Sequence, residues 1–193
     1  MTANTTLARL QQLLPQLFQP VDVSGDLYLR FQLTPAIPAL LSMERVQEAL
    51  LVPASAISPL PNLPEFKIGI MNARDRVFCV VDLGQLLGLP SLPTNLQDYQ
   101  VVVIDLFATD TEEIDTAGLS AGKYLGLAVR RVNGVARFDP DTLQAPGEDF
   151  PACLKLYQMG CFGAADERIL VLDTVAIANA PNLRKNPFVS GYN

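Results

Sequence analysis

The chain of 193 residues contains no histidine. That absence removes the commonest general base, the commonest metal ligand and any histidine phosphorylation site. The cysteines, Cys79, Cys153 and Cys161, are odd in number and show no C-x-x-C spacing. They fit reduced structural thiols rather than a disulfide framework or a zinc site. No run approaches the roughly 20 apolar residues that span a bilayer. The opening residues Met1 to Asn4 carry no positive charge, and Leu7 to Phe18 is interrupted by Arg9, Gln11, Gln12 and Pro15, unlike a secretory signal. Basic residues are in the minority, with 14 Lys and Arg against 20 Asp and Glu and a net charge of −6, which argues against a phosphate-backbone partner. A G-x-S-x-G elbow, a P-loop and a G-x-G-x-x-G turn after a strand are all missing. These absences predict a cytoplasmic, non-enzymatic protein with no cofactor, no metal, no nucleic-acid partner and no membrane insertion.

What is present is 49% hydrophobic and 18% charged, with 15 prolines and 12 glycines, a composition that suits many short elements joined by fixed corners. Residues 5–18 (TTLARLQQLLPQLF) place Leu7, Leu10, Leu14 and Leu17 at helical spacing, with Pro15 as a kink or stop. This helix either packs on the body of the protein or serves a partner or a second copy. Leu27 to Leu33 alternates as a strand, and Pro35 and Pro38 limit the next segment to an edge strand or a turn. Ala39 to Val52 is open between helix and strand. Tyr99 to Phe107 (YQVVVIDLF) reads as a buried strand, and 108–121 as a solvated acidic loop without the spacing of a calcium loop. Tyr124 to Phe138 reads as a long strand or a hairpin around Asn133-Gly134, and Glu167 to Asp173 as the last strong strand. A short apolar helix or turn comes after it, then a loose tail from Asn182.

The stretch from Pro59 to Pro90 organises the rest. Phe66 to Met71 and Val77 to Val81 have strand chemistry, and Asn72-Ala73-Arg74-Asp75-Arg76 is short enough for a hairpin loop, with Asn72 and Asp75 tolerant of left-handed backbone. Asp82 can cap a short helix that Gly88 and Pro90 end. Arg74 is thereby displayed at a hairpin tip. Part of this stretch recurs. Phe66-Lys-Ile-Gly69-Ile echoes Tyr157-Gln-Met-Gly160-Cys, and the strand from Arg76 to Asp82 echoes Arg168 to Asp173. Arg45-Val46 echoes Arg131-Val132. Short, evenly spaced strands with proline corners in two related halves predict an all-β fold of two pseudo-repeated five-stranded barrels with a few short helices. The expected organisation is an extension at 1–26, a first barrel at 27–98, a second at 99–180 and a tail at 181–193.

Asn62, Pro64, Phe66, Gly69, Asn72, Arg74, Val80, Val81, Asp82 and Leu83 match, without a gap, a pattern of the form N-x-P-x-F-x-x-G-x-x-N-L-R-G followed by a strand ending in Asp-Leu. On these residues the chain resembles the CheW family of chemotaxis coupling proteins. Val46 and Glu48 are similar to the family's V-x-E motif, and Tyr124 to Val132 and Arg168 to Asp173 are similar to its later strands. The resemblance covers about 27–180. It implies two SH3-like barrels with a hydrophobic groove between them. It further implies an adaptor that couples a methyl-accepting chemoreceptor-type protein to the regulatory domain of a CheA-like histidine kinase, with association to membranes through receptor complexes. By carry-over, Arg74, Asn72, Val46 and Glu48 would serve partner contacts, while Gly69 and Asp82 would be architectural. The departures from the pattern are Ala73, Asp75, Cys79 and Gly84. They are more similar to coupling proteins of pilus-dependent motility or phototaxis than to flagellar ones. The alternative function is a stand-alone barrel scaffold that dimerises through residues 5–18.

Overall fold

The computed structural model describes residues 25–74, 76–106, 124–146, 148–164 and 167–184. The helix expected at 5–18, the acidic loop at 108–121, Asp75 and the part of the expected tail beyond residue 184 lie outside them; the start of that tail, expected to be loose, is helical at Pro181–Arg184. Ten strands run in chain order as β1 (Asp26–Thr34), β2 (Ile37–Ser42), β3 (Val46–Pro53), β4 (Lys67–Ala73), β5 (Arg76–Asp82), β6 (Asp98–Asp105), β7 (Tyr124–Val129), β8 (Arg131–Phe138), β9 (Gln158–Phe162) and β10 (Ile169–Leu172). Among the described residues the α-helices, all short, are α1 (Leu83–Leu86), α2 (Thr174–Ala178) and α3 (Pro181–Arg184).

The strands form two five-stranded sheets in the orders β8-β1-β2-β10-β9 and β3-β6-β7-β5-β4. This corrects the expected division at 98/99. Each half of the chain places its first two strands in one sheet and its next three in the other, so the repeats exchange strands rather than standing side by side. Each sheet curls toward closure by a two-residue bridge beyond its named strands. Ser58 and Ile70 exchange backbone hydrogen bonds of 2.8 and 2.9 Å, and Gln144 and Cys161 exchange two of 2.9 Å. At each bridge a glycine lets two backbones meet: a Cβ on Gly69 would lie 2.4 Å from the Ser58 oxygen, and one on Gly160 2.6 Å from the Gln144 oxygen.

The echo in sequence is thus an echo in structure. Asp82 N donates to Phe66 O, and Asp173 N donates to Tyr157 O, both at 2.7 Å. Asp82 Oδ1 then accepts from Gln85 N at 3.1 Å, and Asp173 Oδ1 from Val175 N at 2.8 Å and Ala176 N at 3.0 Å, so each aspartate caps the helix after its strand. β3 and β8 carry bulges at matching points, because the β3–β6 register steps from Val46 to Glu48 and the β1–β8 register from Val132 to Gly134. The extra residues are Gln47 and Asn133.

Three expectations change here. Asn133-Gly134 makes a bulge inside β8 rather than a hairpin turn, and its left-handed Gly134 (φ 102°) supplies the backbone the bulge needs. The chain breaks instead at Arg130. Ala39 to Val52 is strand at both of its ends, in β2 and β3. β2 is central rather than an edge, and Pro38 is tolerated because it pairs only with Gln32 of β1, before the parallel partner β10 joins at Ala39.

Three apolar clusters result from this layout. Val52, Ile57, Met71, Phe78, Val80, Val101 and Val103 fill one barrel, and Tyr28, Leu40, Phe162 and Val171 fill the other, with Phe138 stacked on Phe162 at 4.8 Å between ring centres. The largest cluster lies where the sheets face each other and takes Leu29, Phe31 and Leu41 from one and Val102, Ile104 and Leu127 from the other. The hydrophobic groove implied by the resemblance is, at these facing surfaces, packed core. β6 is buried on both faces, which is why Val101 to Ile104 reads as an unbroken apolar run. One polar tie crosses the junction: Val132 N of β8 donates to Gln100 Oε1 of β6 at 2.5 Å. Replacing Gln100 with leucine should leave that half-buried N–H without its acceptor and cost about 1–2 kcal/mol, read as a lower denaturant midpoint with an unchanged slope.

Candidate partner-binding site

The β4–β5 hairpin closes on the pair Ala73 and Arg76, leaving a two-residue loop at 74 and 75. Two-residue hairpin loops favour turns whose first central residue has positive φ, because these match the twist of the strands. Arg74 takes that position with φ 47°. Asn72, read as a loop residue tolerant of left-handed backbone, is instead paired with Val77 in the ladder. Both face solvent, with Val77 61% exposed, whereas Met71 is buried in the barrel. Below the tip, the Arg76 guanidinium lies 4.5 Å from the centre of the Tyr124 ring of β7. That cation–π contact fixes the base of the hairpin to the neighbouring strand.

β3 and β4 are the two edges of their sheet. Arg74 spans that seam: its Nε lies 3.3 Å from Glu48 Oε2, with the Arg74 side chain 78% exposed and that of Glu48 only 11%. The contact is electrostatic rather than an aligned hydrogen bond, and both Glu48 oxygens are shielded from solvent with no hydrogen-bond donor among the described residues. An almost buried carboxylate depends on its cation, so the guanidinium is held over the seam while its outer face stays open.

The sequence nominated Arg74, Asn72, Val46 and Glu48. The structure places the first, second and fourth around the hairpin and the third away from it. Val46 is 8% exposed and belongs to the inter-barrel core. In an unbroken strand, residues two apart share a face. The bulge at Gln47 breaks that rule, sending Val46 opposite Ile104 toward the junction and Glu48 opposite Val103 toward the barrel mouth. The V-x-E spacing therefore hides two different roles. Gly69 and Asp82 are architectural, the one at the barrel closure and the other at the helix cap, and Asp82 Oδ2 also accepts from Leu92 N at 2.6 Å. Sequence reasoning missed the Arg76–Tyr124 stack and the Gln100 tie, since neither has a local signature.

Among the described residues no group of three or more Cys, Asp or Glu side chains is arranged to hold a metal ion. No helix among them is long and apolar enough to cross a membrane. Cys79, Cys153 and Cys161 are free thiols, half-buried, exposed and buried respectively. Burial raises the Cys79 thiol above its ordinary range, with Lys67 opposing the shift. The thiolate is the reactive form. At pH 8 a maleimide should therefore modify Cys153 well before Cys79 and Cys161, as read by peptide mass mapping over time.

A family model described as "CheW-like domain" matches residues 28–182. Among solved structures, the chain is similar to the scaffolding protein TtCheW from Thermoanaerobacter tengcongensis, with a TM-score of 0.61 and 19% identity, covering 80% of this chain and 92% of that one. No curated protein matches the chain.

Proposed function

We propose, from the premise that this chain belongs to the CheW-like domain family, that it is a non-catalytic cytoplasmic scaffold of a chemotaxis-type pathway. It couples a chemoreceptor-type sensor to the regulatory domain of a CheA-like histidine kinase. The observation that carries the reading is Arg74, displayed on a two-stranded hairpin and fixed over the barrel seam by Glu48. A rigid, exposed arginine beside exposed Asn72 and Val77 has the character of an interface anchor, apolar body and directional charge together. Glu48 positions it, while Val46 belongs to the inter-barrel core.

The replacement of the loop pattern by Ala73 and Asp75 supports assignment to a pilus-dependent motility or phototaxis system. The reading is tested by co-purifying the full chain with a CheA-type kinase regulatory domain and, separately, with a chemoreceptor signalling tip. Capture of both at micromolar concentration is expected. Capture of neither, by a chain shown to be folded, overturns it.

A further inference from the structure

The two repeats treat the chain beyond their capped helices differently. In the β3–β7 barrel the chain leaving α1 returns to the cap: Leu92 N donates to Asp82 Oδ2, and Leu92, Glu65, Ile68 and Gln85 line a shallow recess beside it. Ile68 and Leu92 are half-buried there, both packed against the barrel core. In the other repeat, 91 residues on, Leu156 stands for Glu65, Met159 for Ile68, Asp173 for Asp82, Val175 for Gly84 and Leu183 for Leu92. Leu183 N donates to Ala180 O at 2.9 Å, inside the turn that opens α3, so the returning strap is not formed by that stretch. What it would have covered is bare: Leu156 is 77% exposed, Met159 56% and Val175 45%. Three large apolar side chains around one helix cap amount to an unpartnered face.

We propose that residues 185–193, which continue directly from α3, occupy this face, with Phe188, Val189 and Tyr192 covering Leu156, Met159 and Val175 as residues 91–94 cover Ile68 in the other barrel. The sequence suits the task. Pro187 disfavours helical backbone at Asn186, so the local sequence favours an extended path after α3. That is the role of Pro90 and Pro93 around Leu92 in the other repeat. The distance is short: even if the two helices from Thr174 to Arg184 were one straight helix it would span only about 15 Å, and nine extended residues reach about 30 Å. Covering three apolar side chains also removes the penalty of leaving them in water.

The test uses the folded full-length chain with ¹³C-labelled methionine methyls, compared with the chain ending at Arg184 and with Phe188→Asp. Met159 reports on the face, and Met71, 5% exposed inside the other barrel, is the internal control. Both variants are expected to move the Met159 methyl resonance and to speed its conversion to sulfoxide by dilute peroxide several-fold, with Met71 unchanged. A Met159 that responds to neither variant overturns the proposal, because the face is then bare in the intact chain. Equal responses at Met159 and Met71 overturn it too, since they mean general loosening and not the loss of a local cover.

Discussion

Gly69→Ala is expected to be among the most damaging single-methyl additions this fold can receive. The new Cβ would sit 2.4 Å from the Ser58 carbonyl oxygen and 2.8 Å from its carbon, both backbone atoms, so no side chain can rotate out of the way. Relief requires β4 or the strand end at Ser58 to withdraw, which breaks the two hydrogen bonds that close the barrel. Overpacking with backbone displacement should cost about 3 kcal/mol, or about 6–12 °C in Tm for a chain of this size. Gly160→Ala meets the Leu143 side chain at 2.8 Å, which can yield, and the Gln144 backbone oxygen at 2.6 Å, which cannot; that backbone contact is longer than the 2.4 Å at Gly69, so the cost is somewhat smaller. Gly134→Ala is the control. Nothing lies within 4 Å of its added methyl, and only the φ of 102° resists it, at about 1 kcal/mol. Thermal unfolding should rank the three Gly69, Gly160, Gly134, and amide exchange at Ser58 and Ile70 should accelerate only in the first. Equal effects of Gly69→Ala and Gly134→Ala would remove the closure argument.

Arg74→Glu is the second large effect, and it falls on binding. The substitution puts a carboxylate where a guanidinium sits 3.3 Å from the shielded Glu48. It reverses the charge displayed at the hairpin tip at the same time. Affinity for the kinase regulatory domain or the receptor tip should fall by tenfold or more, about 1.4 kcal/mol or above, in the range of an interface anchor. Stability should fall by less, because one partner of the pair is mostly exposed and screened. The exchange Glu48→Arg with Arg74→Glu separates the two effects. It restores an attractive pair across the seam, so the midpoint of unfolding recovers, but the tip stays negative and binding stays weak. Full recovery of binding in the exchanged protein would mean that Arg74 acts only as a structural clamp.

Much of this site and fold was legible in the sequence because local chemistry decided it. The β4–β5 hairpin, the Asp82 cap and the closing strand to Asp173 all lie within a few residues of their partners, so strand propensity, loop length and capping rules locate them. The family pattern from Asn62 to Leu83 falls within that same local stretch. What sequence could not show depends on pairing between distant segments. Asn133-Gly134 has turn chemistry, but Arg30 and Phe31 of β1 draw it into a ladder, where positive φ serves a bulge. Val46 and Glu48 look like neighbours on one face until β6 imposes the bulge at Gln47. The echo at a 91-residue offset marks two repeats correctly, yet nothing local indicates that β3 leaves the sheet of β1 and β2 to pair with β6.

That exchange has a consequence for how the chain acquires its structure. One sheet is built from the uninterrupted span of β3 to β7, residues 46–129, while the other joins residues 26–42 to residues 131–172. As the polypeptide emerges during synthesis, the middle sheet can complete itself first. The β1–β2 hairpin can lay Leu29, Phe31 and Leu41 on that sheet, but Tyr28 and Leu40 stay uncovered until the β8–β10 segment, residues 131–172, arrives. Long-range pairing of this kind slows folding and exposes apolar surface meanwhile. The first hairpin is therefore the part of the nascent chain that stays incomplete longest, and the middle sheet is the surface it can pack against meanwhile.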